Sequence, residues 1–92
     1  MTYTVEFLTA VNKVDIPRLD TAILANIKNA IGAKLLKHPA TFGKPLRESL
    51  KGYRTLRVEH YRIVYIVEPH NNILIVAMRH RKDVYDVAKK RI

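Results

Sequence analysis

Three arginines stand in the stretch GYRTLRVEHYRIVY, Gly52 to Tyr65, and a fourth, Arg79, follows at the end of an apolar run. Arginine carries a permanent charge and a planar fork of N–H donors that matches phosphate oxygens two at a time, which the point charge of lysine does not. Arg54, Arg57, Arg62 and Arg79 therefore point to chemistry on a phosphate group. Lys51, Arg81 and Lys82 extend the basic set on either side. Tyr85 adds an aromatic ring close by in sequence, and unstacked bases of single-stranded RNA prefer aromatic faces. Metal chemistry has little to draw on. There is no cysteine, and the four histidines, His38, His60, His70 and His80, are scattered without ligand spacing.

The elements that must position these arginines are two strands, YRTLRV (53–58) and YRIVYIV (61–67). With Glu59-His60 as a two-residue hairpin loop, Val58 faces Tyr61, Arg57 faces Arg62, Leu56 faces Ile63 and Thr55 faces Val64. Opposed residues share a face of the sheet, and like charges directly opposite destabilise it. A four-residue turn at Pro69–Asn72 then leads to a third strand, ILIVAM (73–78). That turn pairs Val67 with Leu74, Ile66 with Ile75, Val64 with Ala77 and Arg62 with Arg79. Arg57, Arg62 and Arg79 thus form a row across three strands. A bound phosphate explains such a row. The plainer alternative is that the side chains fan out to solvent or pair with carboxylates such as Glu59 and Asp83. Tyr65 falls on the opposite parity and is expected in the packing layer.

The remaining elements frame that sheet. Residues 3–8, YTVEFL, read as a strand. A polar stretch with Asn12, Lys13 and Asp15 follows. From Pro17 to Lys37 the chain reads as one helix, with Leu19, Ile23, Ile27, Ile31 and Leu35 on a single core-facing stripe. Pro17 suits its first turn, and Asp15 or Asp20 serves near its start. His38-Pro39 ends it, because the residue before proline disfavours the helical region. Residues 40–52 read as a loop with a short ordered piece. The run ILIVAM reads as a central strand buried on both faces. Val84, Val87 and Ala88 at helical spacing indicate a short C-terminal helix. The class is α+β, with a mostly antiparallel sheet, N-terminal helices on one face and a basic concave surface on the other. All 92 residues read as one domain.

Charge narrows the partners. The chain carries a net +9, and residues 47–92 hold eleven bases against five acids, including seven of the eight arginines. That balance points to a polyanion, with nucleic acid the first candidate and a merely solvated basic surface the bland one. No apolar run approaches the roughly 20 residues of a membrane helix, and MTYTVEFLTAV lacks the form of a signal peptide. A soluble cytoplasmic protein with no membrane partner is the expectation.

LKGYRTLRVEHYRIVYIVE followed by AMRHRKDVYDVAKKRI resembles the RelE/ParE superfamily of toxins from type II toxin–antitoxin pairs. The likeness spans nearly the whole chain, and LRxxxYRxxY with HRKDVY some fifteen residues on is its most specific part. For members similar to RelE, the resemblance implies an endoribonuclease that enters the ribosomal A site and cuts mRNA there. The ribose 2′-OH attacks the adjacent phosphate, and neither a metal nor another cofactor is needed. Arg62 then matches the arginine at the scissile phosphate and Arg57 a basic residue beside it. Arg79 matches an acid or transition-state stabiliser, and Tyr85 a tyrosine that stacks on or orients the nucleotide. The sequence departs from the pattern on the strand 53–58, where RelE has two lysines, one taken as general base. Here Arg54 and Thr55 stand, and arginine is a poor base. Lys51, Arg54 or His80 is left for that role; histidine is best suited to proton transfer near neutral pH, although His80 also reads as a strand-end residue that packs locally. A cognate RelB-like antitoxin, binding through an acidic amphipathic helix or extended strand, is implied as partner, with the ribosome and mRNA as target. The ParE branch implies instead a non-enzymatic poison of DNA gyrase, and a degenerate relative is a further alternative. Fold alone does not separate these readings.

Overall fold

A computed structural model describes residues 2–92. Five strands form one sheet in the order β1-β5-β4-β3-β2. They are β1 Thr4–Phe7, β2 Lys44–Pro45, β3 Arg54–Val58, β4 Tyr61–Glu68 and β5 Asn72–His80. All neighbours are antiparallel except β1, which runs parallel to β5 with Thr4 beside Asn72 and Phe7 beside Ile75. The α+β class holds, and β5 is internal with Ile75 to Met78 all buried.

The β3–β4 hairpin has the expected register, Val58 with Tyr61 through Thr55 with Val64. Glu59 in its loop takes a left-handed φ of 56°. The next turn differs from expectation. It spans three residues, Pro69–Asn71, so Val67 faces Ile73 and Ile66 faces Leu74, one residue off the expected partners. A bulge restores the count: Val64 pairs with Ala77 and Tyr65 with Ile75, leaving Val76 extra. Beyond the bulge, Arg62 faces Arg79 as the four-residue turn had required. One residue lost from the turn is returned in the strand.

The expected single helix is broken. Val11–Asp15 already forms a wide π-type turn that runs into α1, Ile16–Arg18. Leu19 is then extended (φ −86°, ψ 139°), and α2, Thr21–Ala30, begins afresh before relaxing into a second π-type turn at Ile31–Leu35. Asp20 causes the restart, because its Oδ1 accepts the Ile23 N–H at 2.9 Å as an N-cap. Asp15 does not cap; it is wholly buried. The stripe is kept, with Ile27, Ile31 and Leu35 buried and Leu19 and Ile23 half-buried against the same core. The segment 40–52 holds more order than expected: α3 Pro39–Phe42, β2, and a 3₁₀ turn at Glu48–Leu50.

Alternation divides the apolar residues into two cores, one on each face. Val11, Ile27, Ile31 and Leu35 pack on Leu56, Val58, Ile63, Tyr65, Ile73, Ile75 and Met78. On the other face α4, Val84–Arg91, buries Val84 and Ala88 against Val64, Val76, Ala77 and Leu50. The second face is therefore only partly open. Beside α4 it carries the exposed ends of β3 and β4, and there the arginine pair stands.

β1 reaches along β5 only as far as the Leu8 N–H donating to the Ile75 carbonyl, at 2.9 Å. The edge beyond is completed by side chains. Asp15 Oδ2 accepts the Met78 N–H at 2.9 Å, and Arg91 Nη1 donates to the Val76 carbonyl at 2.9 Å. The two side chains meet in a forked ion pair at 2.7 and 2.8 Å. An exposed strand edge would otherwise leave those backbone groups unpaired.

Candidate phosphate site

β3 and β4 place Arg57 and Arg62 side by side in the lining of a cavity of about 400 Å³. Thr55 of β3 also lines it, Lys44 enters from β2 opposite Thr55, Phe42 comes from the end of α3, and Tyr85 from the first turn of α4. Three cations and two aromatic rings thus surround a space whose lining contains no carboxylate. Arg62 Nη1 donates to the Glu59 and Tyr61 carbonyls at 3.2 and 3.0 Å, which anchors one edge of the guanidinium. Among the described residues neither Arg57 nor Arg62 forms an ion pair. Their repulsion is uncompensated, so an arriving anion gains from both. Thr55 is 93 % buried, only 7 % exposed, and its Oγ1 has no hydrogen-bond partner.

Arg79 leaves the expected row. Its backbone faces Arg62, yet its guanidinium turns aside to Asp83 at 2.8 Å and Asp15 at 3.3 Å. The alternative that named Asp83 as a partner is the one realised for this residue. Burial works against the Arg79 charge, but its hydrogen bonds to the Asp83 and Asp15 carboxylates outweigh that and raise the pKa. The same group lines a second, smaller cavity of about 140 Å³ with Asp15, Arg18, Tyr61 and His80. Burial also opposes the Asp15 charge; hydrogen bonds from Arg91, the Met78 N–H and Arg79 overcome it and hold the carboxyl below the ordinary carboxylate range.

The expected base residues stand away from the arginine pair. Arg54 lies on the opposite face, where its Nη2 donates to the Ala40 carbonyl at 2.7 Å and also to that of Gly43. It ties α3 to the sheet, so this candidate for the base and RNA-binding sets has its guanidinium engaged away from the Arg57–Arg62 pair. Tyr65 is beside it in the packing layer, as expected, with its hydroxyl donating to the Pro39 carbonyl and burial pushing its pKa up. Lys51 is exposed in the turn after the 3₁₀ segment and lines neither cavity. His80 packs at the strand end: its ring stacks on His60 (6.3 Å) and meets Tyr61 edge-on (5.5 Å), and its Nδ1 accepts the Lys82 N–H at 3.2 Å. Arg81 and Lys82 are exposed beyond it.

Sequence reasoning missed Lys44 and Phe42. A two-residue strand and a single helical turn are too short for periodicity to show. The absence of lysine from 53–58, where RelE has two, was the one sequence signal that directed attention to lysines elsewhere. Asp15 and Arg91 were also missed, and nothing local marks a pair 76 residues apart.

Residues 10–85 match the family model of the ParE toxin of type II toxin–antitoxin systems, parDE. The chain belongs to this toxin family. Toxin RelG of Mycobacterium tuberculosis is 36 % identical over 86 residues, which cover 92 % of this chain and 98 % of RelG. The toxin–antitoxin complex RelBE2 of the same organism contains a chain with a TM-score of 0.80 and 33 % identity, covering 88 % of this toxin and all of that chain. A mutant of Escherichia coli toxin RelE in the free state has a TM-score of 0.79 at 22 % identity, covering 100 % and 99 %, a likeness of fold. The toxin is thus similar to RelE-type members within a family whose model carries the ParE name.

Proposed function

We propose that this toxin is a ribosome-dependent endoribonuclease that cuts mRNA, with the cavity of Arg57, Arg62, Lys44 and Tyr85 as its phosphate site. The observation that carries the reading is the opposed arginine pair, unpaired by any carboxylate among the described residues and flanked by an aromatic ring. The ribose 2′-OH attacks the adjacent phosphorus, the bond to the 5′-oxygen breaks, and a 2′,3′-cyclic phosphate and a 5′-hydroxyl result. One proton leaves the 2′-oxygen and one reaches the departing 5′-oxygen. Arg57 and Arg62 stabilise the charge that builds on the phosphorane oxygens, so no metal ion is required. Tyr85 stacks on the nucleotide. Arginine stays protonated in proteins, so proton transfer within this cavity falls to Lys44 or Tyr85 rather than to Lys51, Arg54 or His80.

Arg79 contributes to this reaction only after it leaves Asp15 and Asp83. A RelB-like antitoxin is the proposed partner, supported by the likeness to a chain of the RelBE2 complex and by the net +9 charge. Primer extension on a translated message, with and without ribosomes, tests the activity. Cleavage that appears only with ribosomes and disappears in Arg62→Ala is the expected result. A toxin that leaves the message whole and blocks supercoiling by DNA gyrase overturns it.

A further inference from the structure

Two aromatic rings line the arginine cavity, and they come from opposite sides of it. α4 packs over β4 and β5, so Tyr85 approaches from the β4 side of the Arg57–Arg62 pair. β2 lies on the outer side of β3, so Phe42 and Lys44 approach from the other. The arginines hold the phosphate and Tyr85 one base, which leaves Phe42 without a task. Packing does not explain it either. At 46 % exposed it is the one aromatic among the large apolar side chains that the described residues leave open, and it joins neither core. Its surroundings are basic. Lys34 Nζ stands over the ring, 5.9 Å from its centroid, the His38 ring lies 6.2 Å away, and Lys44 follows two residues on. An apolar peptide side chain gains nothing from such neighbours, whereas a nucleotide gains a ring face for its base and cations for its phosphate.

We infer that Phe42 forms a second nucleotide subsite, so that the cavity holds two consecutive nucleotides with the phosphodiester between them on Arg57 and Arg62. One base stacks on Tyr85 and the other on Phe42. The inference rests on the RNA reading above and adds to it the size of the ligand, single-stranded RNA with a nucleotide on each side of the bound phosphate. Bases splayed to opposite sides of a phosphate no longer stack on each other, and a ring for each replaces the lost contact. A duplex keeps its bases stacked inside and offers neither ring a face.

The test titrates the isolated toxin with a dinucleoside monophosphate of adenosine whose 5′ nucleoside carries a 2′-O-methyl group, so that its phosphate is not attacked. The two halves are the controls: 2′-O-methyladenosine as its 3′-(methyl phosphate) and as its 5′-(methyl phosphate), each with the same single diester charge. The dinucleotide should bind more tightly than either half. Phe42→Ala should weaken it about tenfold, within the range of one lost base–aromatic stack, and should weaken only one of the halves. Tyr85→Ala should weaken the other half. Phe42→Tyr keeps the ring and should restore binding; Phe42→Leu, apolar but not aromatic, should not. The side chain is exposed, so these variants should melt close to wild type. No dinucleotide binding by the wild type, equal binding by Phe42→Ala, full binding by Phe42→Leu, or loss of the same half in Phe42→Ala and Tyr85→Ala overturns the inference, and Phe42 is then an apolar contact for a protein partner. Cleavage of a translated message by a toxin whose dinucleotide binding ignores Phe42 rejects the second subsite and keeps the ribosomal reading. Absent cleavage with the complementary losses does the reverse.

Discussion

Arg57 and Arg62 are the residues where the sequence opposes its own stability. The hairpin forces their side chains onto one face, and no carboxylate in the described residues relieves them. Like charges directly opposite destabilise a sheet by a few tenths to about 1 kcal/mol. Arg62→Ala should therefore leave the melting temperature unchanged or slightly raised, the loss of its two carbonyl contacts at the exposed loop being small. Cleavage should fall by about 10²–10³-fold, the usual effect of removing one preorganised donor. Single-turnover cleavage beside thermal melting reads both, and full activity in Arg62→Ala would reject the phosphate site. Tyr85 is separable in the same assay. Tyr85→Phe should retain most activity and Tyr85→Ala lose it if the ring stacks; equal losses would assign the work to the hydroxyl.

At the level of elements, the short pieces between α2 and β3 matter most, because they bring Phe42 and Lys44 to the site. They are held from beneath. Arg54 and Tyr65 reach across from the sheet to the Pro39, Ala40 and Gly43 carbonyls. Gly43 is buried there, and a Cβ built on it lies 1.7 Å from the Tyr65 hydroxyl. Gly43→Ala must displace that ring or the chain, so it should cost about 1–3 kcal/mol, as overpacking does. Gly32, in the helical turn after α2, has nothing within 4 Å of such a Cβ. Gly32→Ala should stabilise by about 0.4–1 kcal/mol through the unfolded chain. Urea unfolding of both variants checks the pair, and the same sign for both would reject the account of the Gly43 contact.

Across the whole molecule one carboxylate joins the two ends of the chain. Asp15, from the first helical segment, holds the Met78 N–H on the sheet edge, Arg79 on β5 and Arg91 in the last turn of α4. Asp15 is wholly buried, and the arginine side chains are 12–13 % exposed. Removing one partner of a buried pair leaves the others uncompensated, so Asp15→Ala should cost about 3–5 kcal/mol. The carboxyl lies below its unfolded value in the folded protein. Its contribution is therefore present above the unfolded pKa, about 3.9, and lost as pH falls through the lower folded value. Stability measured from pH 6 down to pH 2 should drop below about pH 4 in the wild type. The drop should be shallower in Asp15→Asn, which keeps an acceptor for the Met78 N–H; identical slopes would assign acid sensitivity to other groups.

The alternation of β3 and β4 and a two-residue loop were enough to place Arg57 against Arg62, because a strand has only two faces and a tight hairpin sets the register. The same reasoning put Tyr65 into the packing layer and the Leu/Ile stripe onto the core. The likeness of LRxxxYRxxY and HRKDVY to toxin sequences made the family legible as well. What the sequence left open was where long side chains go. Arg79 shares the face of Arg62 by register, but its guanidinium is drawn to carboxylates 64 and 4 residues away. Asp15 read as a polar loop residue or one serving at the helix start, and is instead the buried closure of a sheet edge. Lys44 and Phe42 reach the cavity because Arg54 and Tyr65 fasten the loop behind them. These placements arise from contacts between distant segments, and neither periodicity nor local propensity carries that information.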